Sequence, residues 1–93
     1  MYRLWAKAIK NNKTIKSIDV KNGENISQEL KLKKCLSEIF NKLDISAPIW
    51  LSKHDKEFME FKKIIFLKDD FIDEVNFDKL EIDLIDDGIK INK

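Results

Sequence analysis

The spacing of apolar positions changes along this 93-residue chain, and each spacing predicts an element. Apolar and polar residues alternate over Tyr2 to Lys10 and again over Thr14 to Val20, which predicts two strands. The Asn11-Asn12 pair between them favours a tight two-residue turn, because asparagine tolerates positive φ. The chain therefore begins with a predicted β-hairpin.

The register set by this turn gives the hairpin a basic, aromatic face. On that face Trp5 lies opposite Ile18, Lys7 opposite Lys16 and Arg3 opposite Val20. The other face is apolar and carries Tyr2, Leu4, Ala6, Ala8 and Ile15. The small Ala6 and Ala8 allow a helix to approach that second face closely. A shift of one residue would exchange the two faces.

A helix is predicted after the break at Asn22-Gly23-Glu24-Asn25. Ser27 is suited to cap it, and Gln28 and Glu29 lie near the positive end of the helix dipole. Apolar residues then recur at spacings of three and four: Leu32, Cys35, Leu36, Ile39, Phe40 and Leu43. This pattern predicts an amphipathic helix of about four or five turns.

A second, shorter helix is predicted after Pro48. Asp44 to Pro48 reads as a connector, followed by a short strand at Ile49-Trp50-Leu51. Ser52 is a capping candidate, with Asp55 three residues later. A helix from Lys53 to about Lys62 then places His54, Phe58 and Phe61 on one face.

The remaining segments predict strands around an acidic turn. Ile64 to Leu67 and Phe77 to Asp86 favour strands, the second with Leu80, Ile82 and Leu84 on one side. Asp69 to Val75 is predicted to turn and to carry Phe71 and Ile72 inward. Asp87-Gly88 favours a hairpin, with Ile89 to Ile91 as a short edge strand. The order predicts one α+β domain over residues 1–93, with a largely antiparallel sheet and both helices on one face.

Composition narrows the class of protein. The apolar fraction of 43% supports one packed core, and the 38% charged fraction covers the outside. Cys35 is the only cysteine, so no internal disulfide forms. The longest apolar run, Ile64 to Leu67, is far below the roughly 20 residues of a membrane helix. We expect a cytoplasmic protein without a cofactor or a membrane anchor.

Charge is distributed unevenly along the chain. Residues 1–43 hold ten Lys/Arg and four Asp/Glu, whereas residues 44–93 hold eight and thirteen. The acidic excess favours protein binding, to a basic partner, to a second copy or in imitation of nucleic acid. The candidate contact residues are Asp69, Asp70, Phe71, Asp73, Glu74, Phe77, Glu81 and Asp83, with Ile72 and Val75 as further apolar anchors. Alternatively, the acidic strand lies beside the basic hairpin and each neutralises the other.

Two other function classes remain open. Arg3, Trp5, Lys7 and Lys16 would share one hairpin face, as in a platform on which nucleic-acid bases stack. A small enzyme would use His54, the only histidine. Packing of His54 among Trp50, Phe58 and Phe61 is the favoured interpretation, and Cys35 in its apolar stripe resembles an inert buried thiol. The acidic spacing matches no calcium loop, so no metal is predicted.

Several short motifs also resemble a family. These are Trp50-Leu51-Ser52-Lys53-His54 with Glu57-Phe58, then Asp69-Asp70-Phe71 and Leu80-Glu81-Ile82. Together they are similar to short uncharacterised proteins of clostridia and related bacteria. The resemblance implies a bacterial protein and carries no activity and no functional residue to this chain.

Overall fold

The computed structural model of the protein describes residues 1–88 and has an α+β fold. Within that range the strands are β1 (Tyr2–Lys10), β2 (Lys13–Asn22), β3 (Lys63–Leu67) and β4 (Lys79–Asp87). The helices are α1 (Gln28–Leu43) and α2 (Ser52–Phe61), with a 3₁₀ turn over Lys68–Asp70. The predicted edge strand from Ile89 to Ile91 lies outside the described residues.

The strands form one antiparallel sheet in the order β2-β1-β4-β3. The sheet buries one face under the helices, with Tyr2, Leu4, Ala6 and Ala8 of β1 at its centre. Because the side chains of Ala6 and Ala8 are single methyl groups, α1 can pack closely on β1. The predicted α+β fold, with both helices packed on one face of an antiparallel sheet, is confirmed.

Helix α1 forms as its pattern predicts. The Ser27 hydroxyl accepts a hydrogen bond from the Leu30 N–H at 3.3 Å and caps the helix. The helix buries Cys35, Leu36, Ile39 and Phe40, while Leu32 and Leu43 pack at the margin of the core. It ends at Asp44, which has a left-handed conformation with φ 57°. Cap, apolar stripe and end are all local features of the sequence.

The hairpin turn is confirmed, but the predicted register is wrong. Asn11 and Asn12 have φ 52° and 64°, as a tight turn with two left-handed residues requires. A β-bulge follows, because Ile9 pairs with Thr14 while Ala8 pairs with Lys16, and Ile15 is left without a partner strand residue. Every later pair is therefore displaced by one residue.

The displaced register changes which residues share a face. Ile18 lies opposite Ala6 and Val20 opposite Leu4, so both belong to the core. Trp5 instead lies opposite Asp19, Lys7 opposite Ser17 and Arg3 opposite Lys21. Ile15, predicted on the apolar face, is 47% exposed. A second bulge lies in β4, where Ile85 is passed over between Leu84 and Asp86.

Three further expectations are corrected around α2 and the acidic turn. Residues 45–51 are irregular rather than containing a strand at Ile49-Trp50-Leu51. Phe61 is 71% exposed and does not share the buried face of α2 with His54. Ile72 is 75% exposed and points outward, whereas Phe71 is buried as predicted. Strands β3 and β4, with Leu80, Ile82 and Leu84 on one side, are confirmed.

Candidate functional site

His54 is completely buried at the start of α2. The His54 ring Nδ1 accepts a hydrogen bond from the Leu51 N–H at 2.9 Å, and the His54 backbone N–H donates to the Leu51 carbonyl at 2.9 Å. Leu51, not Ser52, is the N-cap residue, and it has no side-chain acceptor of its own. The histidine therefore supplies the polar group that closes the first turn of α2.

The other imidazole nitrogen faces Asp70. Nε2 lies 3.5 Å from an Asp70 carboxylate oxygen, and that oxygen accepts the Leu67 N–H at 2.8 Å. No hydrogen bond to Nε2 is formed within residues 1–88. The ring packs 4.6 Å from the centroid of Phe66 and 5.9 Å from that of Trp50. Both nitrogens are enclosed by the protein, so His54 has the environment of a structural residue.

The sequence identified only part of this environment. Trp50 lies beside His54, as predicted. The Trp50 indole Nε1 donates a hydrogen bond to the Asp55 carboxylate at 2.7 Å, so Asp55 is bound to Trp50. Phe66 and Asp70 were not identified, because they lie on β3 and on the turn that follows it. Cys35 is likewise buried, and burial raises the pKa of its thiol and keeps it protonated.

The predicted nucleic-acid-binding residues do not form one set. Arg3, Trp5 and Lys7 lie on the face of the sheet opposite the helices, which we call the open sheet face. Lys16 lies on the helix side, because the bulge at Ile15 turns it over, and its ammonium donates to the Lys42 carbonyl at 3.4 Å. The four-residue platform is therefore corrected to three residues.

Carboxylates surround those three residues. Asp19 is hydrogen-bonded to the Arg3 guanidinium, with Nε 2.9 Å from Oδ1, and this contact lowers the pKa of the carboxyl. Trp5 pairs with Asp19 on one side and with Asp83 on the other. The Lys7 ammonium lies 4.6 Å from the centroid of the Trp5 ring and covers it. A phosphate approaching Trp5 meets negative charge on both sides.

Glu81 and Asp83 belong to this open sheet face and not to the acidic turn. Glu81 lies opposite Lys7 in the sheet, and the Lys63 ammonium is 3.8 Å from Glu81 and 3.6 Å from Asp83. The acidic strand thus lies directly beside the basic strand β1. Charges that are separated in the sequence alternate across the sheet.

Residues 69–76, here called the acidic loop, carry the rest of the predicted contact set except Phe77. Two of its carboxylates hold backbone in place: Asp70 accepts from Leu67, and Asp73 accepts from the Ser46 N–H at 2.6 Å. Phe71 packs edge-to-face on Phe77 beyond the loop, with 5.4 Å between ring centroids. Phe71, Val75 and Phe77 are buried, so they are not available as anchors for a partner.

Four residues of the acidic loop are exposed to solvent, one of them Asn76. Ile72 is 75% exposed, and Asp69 and Glu74 are exposed on either side of it in the sequence. Ile72 lies between the buried Phe71 and Asp73 in the sequence, and its exposure shows that its side chain points away from the core. This exposed apolar side chain, in a loop that also exposes Asp69 and Glu74, is what remains of the predicted binding surface.

No group of three or more histidine, cysteine or acidic side chains within residues 1–88 is placed to hold a metal ion. Neither helix in that range has the length and apolar character needed to cross a bilayer. No family model, curated protein or solved structure matches this chain. The clostridial resemblance stays a prediction, and the function is proposed from the geometry alone.

Proposed function

We propose that this domain is a protein-interaction module whose acidic loop docks on a basic segment of another protein. The observation that carries the proposal is the 75% exposure of Ile72 in a loop that also exposes Asp69 and Glu74. An apolar side chain that gains nothing from the core is available to be buried by a partner. The carboxylates beside it select a partner of opposite charge and speed its approach.

The proposed surface is smaller than the one predicted from the sequence. Asp70 and Asp73 are retained as residues that hold the loop, since each accepts a backbone N–H. Glu81 and Asp83 are assigned to the charge balance of the open sheet face. We propose that the protein acts in a bacterial cytoplasm, a setting supported by its single, buried, unpaired Cys35.

The first test is a titration of the protein with a synthetic lysine/leucine peptide, followed by amide NMR. We expect shifts confined to the acidic loop and an affinity that falls as salt is added. Ile72→Ser is expected to weaken binding about ten- to a hundredfold, because burying a side chain of this size contributes about 1.5–3 kcal/mol. A glutamate/leucine peptide should produce no shifts.

Met59→Ser is the matched control, since Met59 on α2 is also 75% exposed. It should bind the peptide as the wild-type protein does. Equal losses in Ile72→Ser and Met59→Ser, or shifts located away from residues 69–76, would overturn the proposal. If the protein associates with itself, its mass in solution without peptide will rise with protein concentration. A second copy of the chain would then replace the basic segment as the proposed partner.

A further inference from the structure

A cavity of about 370 Å³ lies beside the acidic loop. Its walls come from β1 and β2, from the end of α1 with the two residues after it, and from residues 74–77. Apolar groups line much of it, among them Ile15, Leu43, Ile45 and Phe77. The bulge helps to build the cavity, because Ile15 has left the regular alternation of β2 and is 47% exposed there.

Two carboxylates line the same cavity. Asp44 follows the last residue of α1, and Glu74 belongs to the acidic loop. Both residues are exposed, and neither side chain forms a hydrogen bond or an ion pair within residues 1–88. They differ in this from Asp70 and Asp73, which hold backbone. The cavity thus combines aliphatic walls with two carboxylates that form no ion pair within residues 1–88.

The structure already places an alkylammonium group at this end of α1. Lys16 also lines the cavity, and its Nζ lies 3.4 Å from the Lys42 carbonyl oxygen in the last turn of α1. Carbonyls at the end of a helix carry the negative end of its dipole and favour cations. The wall formed by the end of α1 therefore already accommodates the ammonium group of Lys16.

We infer that this cavity binds a lysine side chain of the basic partner segment. Its four-carbon stem would lie against Ile15, Leu43 and Phe77, and its ammonium would face Asp44 and Glu74. Lysine fits this chemistry because it joins a flexible aliphatic stem to a compact charge. The inference rests on the proposed function, since it adds to the acidic loop the pocket that recognises one residue of the partner.

The test uses the same lysine/leucine peptide with cavity variants. Ile15→Trp should fill the cavity, and Asp44→Asn removes one charge while keeping a residue that tolerates left-handed φ. Each is expected to weaken peptide binding about tenfold. The matched control is Ile85→Trp, because Ile85 is the bulged residue of β4 and is 49% exposed. It should leave binding unchanged.

A small probe separates the cavity from the rest of the loop. Nα-acetyl-lysine methylamide should shift the amides of Leu43, Ile45 and Val75, and the norleucine analogue should not. Equal shifts with both compounds would overturn the inference. If Ile15→Trp binds the peptide as wild type does while Ile72→Ser does not, the cavity assignment fails and the proposed function stands. Absence of peptide binding by the wild-type protein would refute both.

Discussion

His54 joins three pieces of backbone that are distant in the sequence. Its ring accepts the Leu51 N–H, packs on Phe66 and faces Asp70, which in turn accepts the Leu67 N–H. Of the two aromatic rings packed on His54, Trp50 could be predicted from the local pattern and Phe66 could not. The contact with Asp70 could not, because it depends on where β3 ends relative to α2.

Replacing His54 by alanine should destabilise the fold. The variant removes a buried ring and leaves the Leu51 N–H without its acceptor. We expect the free energy of unfolding to fall by about 2–4 kcal/mol in urea denaturation. Lys53→Ala, an exposed neighbour in α2, should change it by less than about 0.5 kcal/mol. Wild-type stability in His54→Ala would contradict the structural role.

At the scale of elements, the predictions were right where an element depends on residues close together in the sequence. Helix α1 carries its own cap and its own apolar stripe, so the sequence predicts it almost completely. The hairpin turn is equally local, but its register depends on a bulge that no residue type marks. Ile15 looks like any other strand isoleucine. The predicted faces of β2 were therefore exchanged by a single unpaired residue.

The end of α2 offers a direct test of backbone geometry. Lys62 has a left-handed conformation with φ 54°, whereas Lys63 begins strand β3. Lys62→Gly should raise the free energy of unfolding by about 0.5 kcal/mol, because relief of the left-handed strain exceeds the added chain entropy. Lys63→Gly should lower it by about 1 kcal/mol. The opposite order in thermal or urea unfolding would be inconsistent with this geometry.

At the scale of the whole molecule, folding brings part of the acidic half of the sequence beside part of the basic half. Pairing of β1 with β4 brings the basic first strand beside Glu81 and Asp83. The sequence favoured an acidic strand beside the basic hairpin, but the pairing of β1 with β4 could not be derived from it, because local patterns do not determine strand order. The candidate partner-binding surface is smaller than predicted for the same reason, because long-range packing buries Phe71 and Phe77.

The balanced open sheet face should not bind nucleic acid. We expect an oligothymidine to leave tryptophan fluorescence unchanged at low salt, since Asp19 and Asp83 flank Trp5. Converting Asp19 and Asp83 to asparagine should raise the affinity for oligothymidine about tenfold, and this gain should fade as salt is added. Glu57→Gln with Glu60→Gln on α2 changes net charge equally and should have no such effect. Strong quenching of the wild-type protein would contradict this prediction.

The two bulges also mark where the strands tolerate a change in length. Without Ile15, the pairs on either side of it would join into a regular ladder, and every later pair in β2 would be kept. Ile85 has the same relation to its neighbours in β4. Relatives of this chain should therefore differ from it by single-residue gaps at these two positions, ahead of any other place in the sheet.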